Sequence, residues 1–265
     1  MRVRSIGVLS AAVAALGLSA AAHASYVVVD DFDSYSNGNL VGQDSWLQTG
    51  TSAVTPIQVS SGAAVLGTSG QDAYKAFSAS VADVAGNDLY TAFDLTVTSA
   101  QATGDYFAHL SDPVGTTSNF YQRIFAKSSG AGFVLGVLET APGTVNYGSN
   151  VLSLGTTYRV VVDWSFVSGP LNDTFKLYVS PTDPVQANDT PYYSTTWAST
   201  SAEPAQISAF NFRQGTAASA PAEKVDNLGV STTFAEALAI PEPASLAMMA
   251  GAGLLALRTR RAKRA

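Results

Sequence analysis

Apolar and polar residues alternate with a period of two through the middle of the chain, and this pattern constrains the fold most. In the segment 158–166 every even-numbered position is apolar, while Arg159 and Asp163 are predicted to face the solvent on the opposite side. Segments 89–98 and 174–179 repeat the pattern. A period of two is typical of a half-buried β-strand, whereas helices repeat every 3.6 residues. The body is therefore predicted to be built from strands.

Turn-forming residues separate further, weaker strand patterns. Asn37-Gly38 and Pro142-Gly143 are examples of such turns. The least patterned segment, 182–205, is rich in Pro, Thr and Ser and is predicted to be a long surface connection. Many short strands with this punctuation predict a two-sheet sandwich or a barrel. The weaker strands are predicted at 26–32, 54–60, 120–127, 132–139, 206–213 and 224–231.

The charge distribution excludes one class of partner, nucleic acid. The chain has 14 Lys and Arg, of which two lie in the first 24 residues and five after residue 257, which leaves seven. Of its 20 Asp and Glu, 19 lie between residues 25 and 239, so that part has a formal charge of −12. A body this acidic repels phosphate backbones. The chain also has no cysteine, which excludes disulfides and thiolate metal sites.

Residues 1–24 have the three parts of a secretory signal peptide. Arg2 and Arg4 give the positive start, 6–18 is apolar, and Ala22-His23-Ala24 is a small-x-small cleavage site. The alternative is an uncleaved membrane anchor, for which the apolar stretch is short. We therefore expect export, with the mature protein beginning near Ser25.

Residues 236–265 are predicted to be a sorting tail. Pro241, Glu242 and Pro243 are followed by an uncharged apolar stretch, 244–257. A basic cluster directly after an apolar helix holds such a tail on the cytoplasmic side of the membrane. The alternative is a buried or amphipathic terminal helix, because 14 residues span about 21 Å as a helix and the hydrocarbon core is about 30 Å thick. The basic residues are Arg258, Arg260, Arg261, Lys263 and Arg264.

This order of motif, apolar helix and basic end resembles the PEP-CTERM sorting signal. The resemblance implies that Pro241, Glu242 and Pro243 are recognised by an exosortase-type processing enzyme. It also implies a transient anchor in the inner membrane, followed by delivery to the outer surface or the extracellular matrix, where exopolysaccharide is a further expected partner. No nucleic acid is expected.

Three segments of the body, 31–46, 155–164 and 224–231, resemble strands of concanavalin A-like (laminin G-like) jelly rolls. The fold class expected from this resemblance is all-β, a two-sheet jelly-roll sandwich over 25–235. An N-terminal signal helix and a short C-terminal membrane helix would flank the sandwich. In that fold the last strand pairs near the first. The fold hosts lectins, glucanases, lyases and adhesion modules, so it does not by itself give the function.

Catalytic motifs are scarce, and the sequence predicts a protein that is not an enzyme, with no catalytic residues. Glucanases of this fold carry Glu-x-Asp-x-x-Glu on one strand, so that the carboxylates face one sugar, and this pattern is absent. A polysaccharide lyase of the fold would need Tyr, His and Arg together. After the signal peptide His109 is the sole histidine, and it is predicted to be structural.

A calcium site is predicted where the chain ends of the sandwich meet. Calcium prefers several carboxylate and carbonyl oxygens, and Asp31, Asp33 and Asp226 would converge if the first and last strands pair. Some relatives of the fold hold a structural calcium there. The alternative is that Asp31 and Asp33 are solvated on an edge strand and Asp226 caps a turn. No other cofactor is expected.

Aromatic residues within 182–205 suggest a sugar site. Tyr192, Tyr193 and Trp197 would stack on sugar rings if they are exposed, and the alternative is that they pack in the core. Two functions follow, and a polysaccharide-degrading enzyme remains a third alternative. The first is a non-catalytic surface or exopolysaccharide-matrix protein, and the second is a lectin-like carbohydrate-binding module.

Overall fold

The computed structural model of the protein describes residues 26–51 and 54–239. The regular secondary structure of this part of the chain is almost entirely β, with one 3₁₀ helix at Gln186–Asn188 and one short α-helix, α1, at Phe234–Leu238. The strands are β1 Tyr26–Asp30, β2 Gly38–Asn39, β3 Leu47–Thr49, β4 Gln58–Val59, β5 Ala64–Leu66, β6 Asp72–Ala82, β7 Leu89–Ser99, β8 Asp105–Ser111, β9 Phe120–Ser129, β10 Gly132–Leu138, β11 Asn146–Tyr147, β12 Thr157–Ser165, β13 Thr174–Val179, β14 Tyr193–Thr196, β15 Gln206–Phe212 and β16 Ala222–Ser231.

The strands form two antiparallel sheets that pack as a sandwich. One sheet has nine strands in the order β14-β13-β12-β7-β16-β5-β4-β2, with β1 also paired to β16. The other has seven strands in the order β11-β10-β9-β8-β15-β6-β3. Strands that follow one another in the sequence often lie in different sheets, as in a jelly roll. The predicted fold class, an all-β two-sheet jelly-roll sandwich, is confirmed.

The first and last strands pair, as expected. Val29 in β1 lies opposite Gly229 in β16, and Asp30 lies opposite Leu228. The opposite edge of β16 pairs with β7 over most of its length. This pairing joins the two ends of the body in the middle of one sheet.

One continuous hydrophobic core fills the space between the sheets. Trp46 and Trp164 are fully buried in it, and the Trp46 ring stacks on Phe212 at a centroid distance of 5.1 Å. Burying a large apolar side chain stabilises the fold by about 1.5–3 kcal/mol. A core of this size accounts for a stable domain without disulfides.

Several details differ from the sequence predictions. The strongest strands, 89–98, 158–166 and 174–179, are confirmed within one residue as β7, β12 and β13. However, the sequence does not predict β6, because this strand is rich in Ala and Ser rather than in β-branched residues.

Asp163 and the segment 182–205 also depart from their predictions. Asp163 is fully buried because the amide of Gln186 covers it and donates to its carboxylate. The segment 182–205 is not simply a surface connection, since it contains the 3₁₀ helix and β14.

The predicted signal peptide, the sorting motif at 241–243, the apolar helix at 244–257 and the basic end lie outside the described residues. Within 26–51 and 54–239, no helix is both long enough and apolar enough to span a membrane. The export and sorting predictions therefore stay predictions.

Candidate functional site

The outer face of the seven-stranded sheet carries an unusual set of aromatic and cationic side chains. Along β9, Ile124 and Ala126 point into the core. Alternate residues of a strand face opposite sides, so Arg123, Phe125 and Lys127 lie on the outer face. The neighbouring strands β8 and β15 add to this face. We call Tyr106, His109, Phe120, Arg123 and Arg213 the arginine–aromatic cluster.

Tyr106 is at the centre of this cluster. The guanidinium carbon of Arg213 lies 4.1 Å from the centre of its ring, and that of Arg123 lies 5.1 Å away. The ring centre of His109 is 5.7 Å from that of Tyr106 and 4.2 Å from that of Phe120. Arg123 also approaches the Phe120 ring, at 5.5 Å. Two cations and three rings therefore pack together on one face of the sheet.

Irregular strand pairing makes this arrangement possible. Tyr106 and His109 are three residues apart, as are Phe120 and Arg123, and in regular strands each pair would face opposite sides. The register between β8 and β9 shifts on both sides of Ala108, which is the effect of β-bulges. As a result, all four side chains point outward.

Gln122 is the irregular residue in β9. Its backbone is left-handed, with φ of 44°. Its side chain is fully buried and turns toward the other sheet, where its amide oxygen accepts a hydrogen bond from the Thr91 hydroxyl at 2.6 Å. This inward turn lets Phe120 and Arg123, on either side of it along β9, share the outer face.

The two arginines of the cluster differ in their partners. Arg213 forms an ion pair with Asp105 at 2.8 Å and donates to the Tyr106 carbonyl. Arg123 donates to the Phe120 carbonyl through Nε at 3.4 Å, and it pairs with no carboxylate of the described residues. Partial burial, and secondarily Arg213, lower the pKa of Arg123, although Tyr106 and the more distant carboxylate of Asp105 oppose this.

His109 is buried in the cluster and is neutral at neutral pH. Its side chain sits beneath Phe120, and the residue is 2% exposed. Burial lowers its pKa to about 3, and the nearby arginines add to the effect. Nδ1 lies 3.1 Å from the Leu110 carbonyl. When the neutral ring carries its proton on Nδ1, it donates a hydrogen bond to that carbonyl. Nε2 then has no proton and is a hydrogen-bond acceptor.

The cluster continues along β9 toward the edge of the sheet. The ring centres of Tyr106 and Phe125 lie 5.4 Å apart, and those of Phe125 and Tyr147 lie 6.4 Å apart. The Lys127 ammonium lies 4.1 Å from the centre of the Tyr147 ring. Tyr147 packs down over Gly136, where a Cβ atom would meet its ring at 2.9 Å. The extension therefore consists of Phe125, Lys127 and Tyr147.

Three carboxylates from separate parts of the chain form an acidic cluster elsewhere. Oxygens of Asp83, Asp173 and Glu203 all lie within 4.8 Å of one another. Burial, followed by repulsion from Asp173 and Glu203, raises the pKa of Asp83 to about 6. Asp173 already accepts hydrogen bonds from the Trp164 indole and the Val167 amide, both at 2.7 Å. Such an oxygen donor set could hold a divalent cation.

The residues predicted to bind calcium are neighbours but do not form this cluster. Burial, then Asp33, Asp94 and Asp31, raise the pKa of Asp226 to about 6, which fits with the pairing of β1 and β16. However, among the described residues only Asp83, Asp173 and Glu203 approach within 4.8 Å as a set of three metal-binding groups. Calcium at Asp31, Asp33 and Asp226 stays a prediction.

The residues predicted to bind sugar do not form an exposed platform. Trp197 is 5% exposed and packs in the core, with its ring centre 6.0 Å from that of Trp164. The Tyr192 hydroxyl donates to the Asn150 carbonyl at 2.6 Å. Tyr192 and Tyr193 are partly buried against the core. The structure thus favours the packing alternative for Trp197, while sugar binding by the tyrosines stays a prediction.

Sequence reasoning missed the arginine–aromatic cluster for a physical reason. Strict alternation places Tyr106 and His109 on opposite faces, and the bulges that reunite them depend on pairing with β9. A weak signal was present nonetheless, in that the sole histidine after the signal peptide lies three residues from a tyrosine in a segment rich in aromatics.

Comparison with solved structures finds similar chains at low sequence identity. An alginate lyase in complex with an alginate tetrasaccharide is 16% identical, with a TM-score of 0.47 over 77% of this chain and 96% of that chain. A glycosyl hydrolase family protein from Mycobacterium fortuitum is 11% identical, with a TM-score of 0.47 over 77% and 99%. The carbohydrate recognition domain of Emp47p is 9% identical, with a TM-score of 0.43 over 78% and 94%. No protein-family model matches the chain, and no curated protein is similar to it in sequence.

These comparisons correct the prediction that the chain is not an enzyme. The structures that resemble it include an alginate lyase and a glycosyl hydrolase family protein. The missing Glu-x-Asp-x-x-Glu pattern excludes one glucanase motif, which is not the same as excluding catalysis. His109 is predicted to be structural because it is the sole histidine after the signal peptide, and the structure places Tyr106, Arg123 and Arg213 near it.

Proposed function

We propose that this chain is an exported β-sandwich protein that binds polysaccharide on the outer face of its seven-stranded sheet. The observation that carries the proposal is the arginine–aromatic cluster, in which Arg123 and Arg213 flank the partly exposed ring of Tyr106. Aromatic rings offer flat apolar surfaces to sugar rings, and guanidinium groups donate several hydrogen bonds in a fixed geometry.

The burial of the cluster supports binding as the first candidate. Tyr106, Phe120 and Arg123 are half-buried, so each is held in place by packing and still reaches the solvent. A surface group fixed in this way loses little conformational entropy when a ligand binds.

A glycan-binding screen with matched variants tests this proposal. The exported protein should bind at least one polysaccharide in a pull-down or array. Tyr106→Ala should lower the affinity about tenfold or more, as expected for a central aromatic contact. Tyr193→Ala, which changes a partly buried tyrosine on the other sheet, should leave the affinity unchanged. The proposal fails if no glycan binds, or if Tyr193→Ala has the larger effect.

A second candidate function, eliminative cleavage of a uronate polymer, is favoured by the chemistry of the same cluster. In such a reaction a base removes the proton from the carbon next to the carboxylate. The C–O bond on the neighbouring carbon then breaks, a C=C bond forms, and the leaving oxygen takes a proton. Nε2 of the neutral His109 ring can accept a proton, but the lowered pKa makes this ring a weak base. Burial raises the pKa of Tyr106, so that its phenol stays protonated as a donor.

Access limits this second candidate, because Phe120 covers the His109 ring. The reaction would require Phe120 to swing aside. Incubation with polygalacturonate should then produce an ultraviolet-absorbing unsaturated product, and Tyr106→Phe should abolish it. Binding without such a product leaves the first candidate as the function of the site.

We further propose that the protein is delivered by its termini to the outer surface or matrix, where polysaccharide is available. The signal-peptide pattern at 1–24 and the Pro241-Glu242-Pro243 tail support this route. Mass spectrometry of the native protein should find a mature amino terminus near Ser25 and loss of the chain beyond the sorting motif. Recovery of the intact chain from the cytosol would refute it.

A further inference from the structure

We infer that the polysaccharide bound by this face carries carboxylate groups, and that Arg123 and Lys127 pair with them. This inference rests on the proposed binding function and adds the chemical class of the ligand. Both side chains belong to β9 and lie on the outer face, on either side of Phe125.

Arg123 is a cation without an ion-pair partner among the described residues. Its guanidinium is half-buried between the rings of Tyr106 and Phe120, and within the described ranges it has no carboxylate partner. A partly desolvated cation without an anion is costly. A bound carboxylate would remove this cost and could form two parallel hydrogen bonds with the guanidinium.

Lys127 is a second cation that packs on an aromatic ring, farther along β9. Its ammonium lies over the Tyr147 ring, and no ion pair joins it to a carboxylate in the part of the chain that the structure describes. Four residues of β-strand separate the two cations, which is about 13 Å at about 3.3 Å per residue. A linear polymer with repeated carboxylates could therefore contact both.

The charge of the rest of the protein makes this strip distinctive. The part of the chain between residues 25 and 239 has only seven Lys and Arg, and three of them, Arg123, Lys127 and Arg213, belong to this face. Asp105 neutralises Arg213, which leaves Arg123 and Lys127 as the available cations. Salt screens charges beyond about 8–10 Å, so the acidic remainder does not prevent a local anion contact.

The test compares one polymer with and without its charge. Polygalacturonate and its methyl ester have the same backbone, but esterification removes the carboxylate charge. We expect the exported protein to bind polygalacturonate, with an affinity that falls as salt rises, and to bind the ester at least about tenfold more weakly. Arg123→Gln and Lys127→Gln should each weaken polygalacturonate binding about tenfold.

Lys224→Gln is the matched control, because it removes the same charge from an exposed lysine on the other sheet. It should leave binding unchanged, and thermal unfolding of all three variants should show that they are folded. Equal affinity for the two polymers, or binding that Arg123→Gln and Lys127→Gln leave unchanged, would overturn the inference while the proposed function stands. If neither these polymers nor any neutral glycan binds, the proposed function falls as well.

Discussion

The amide oxygen of Gln122 accepts a 2.6 Å hydrogen bond from the hydroxyl of Thr91, across the space between the two sheets. Both residues are fully buried. This bond holds the irregular turn of β9 that places Phe120 and Arg123 on the same outer face. The geometry of the proposed binding face therefore depends on a polar contact inside the core.

Replacing Gln122 tests this dependence. Gln122→Leu leaves the Thr91 hydroxyl buried without its partner, which should cost about 1–3 kcal/mol in the free energy of unfolding, measured by urea denaturation. It should also weaken glycan binding, because Arg123 loses its fixed position. In Thr91→Val/Gln122→Leu the polar atoms of the pair are both gone, so stability should partly return. Unchanged stability and binding in Gln122→Leu would contradict the role of the bond.

Trp197→Ala separates core packing from sugar binding. Trp197 contacts Trp164 and Phe175 with ring centres 6.0 and 6.1 Å away. The truncation should leave a cavity and reduce the free energy of unfolding by about 3–5 kcal/mol. Glycan affinity of the protein that remains folded should be unchanged. Loss of binding at unaltered stability would instead support the aromatic site predicted at Tyr192, Tyr193 and Trp197.

Glu223 is a buried acid whose replacement should stabilise the protein. The residue is 2% exposed, and neither carboxylate oxygen has a hydrogen-bond partner in the described part of the chain. Burial raises its pKa well above the ordinary value, so the folded state holds the proton to a higher pH than the unfolded chain does. Glu223→Leu should increase the free energy of unfolding by about 1–3 kcal/mol at neutral pH.

The sign of the pH dependence follows from the raised pKa. The unfolded chain releases the Glu223 proton near the ordinary value of about 4.3, whereas the folded chain retains it. The contribution of Glu223 to stability is therefore most favourable below that pH, and it decreases as pH rises toward the folded-state pKa of Glu223. Denaturation of Glu223→Leu should lose this part of the pH dependence. A variant that is equally sensitive to pH, or less stable at neutral pH, would refute the assignment.

Asp83→Asn tests the acidic cluster. At neutral pH it removes repulsion with Asp173 and Glu203, and the gain in unfolding free energy should be under about 1 kcal/mol because Asp83 is partly exposed. The pKa of Asp83 is raised to about 6. The gain in unfolding free energy of Asp83→Asn therefore grows as pH rises from about 4 to about 6, and it is absent in more acidic solution.

Calcium addition completes this test. If the cluster holds the ion, calcium should raise the melting temperature of the wild type and not that of Asp83→Asn. Asp226→Asn reports separately on the predicted site at Asp31, Asp33 and Asp226. A calcium effect lost only in Asp226→Asn would place the ion at the chain ends, and no effect in the wild type would exclude both sites.

The sequence predicts strands correctly where the local alternation of apolar and polar residues agrees with the tertiary structure. The alternation around Trp164 and Phe93 identifies strands because each strand has one face on the core and little irregularity. It failed for Asp163, whose burial depends on Gln186 in a distant segment. It also failed for Tyr106 and His109, because β-bulges are set by the partner strand and change which face each residue occupies.

Mapping where glycan binds distinguishes the outer face of the seven-stranded sheet from every other surface of the protein. Hydrogen–deuterium exchange of the exported protein, with and without the polysaccharide that binds best, reports which backbone amides become protected. We expect new protection in β8 and β9, over 105–111 and 120–129, and no change in β14. Protection confined to the segment 192–197, with β8 and β9 unchanged, would contradict binding on the outer face of the seven-stranded sheet.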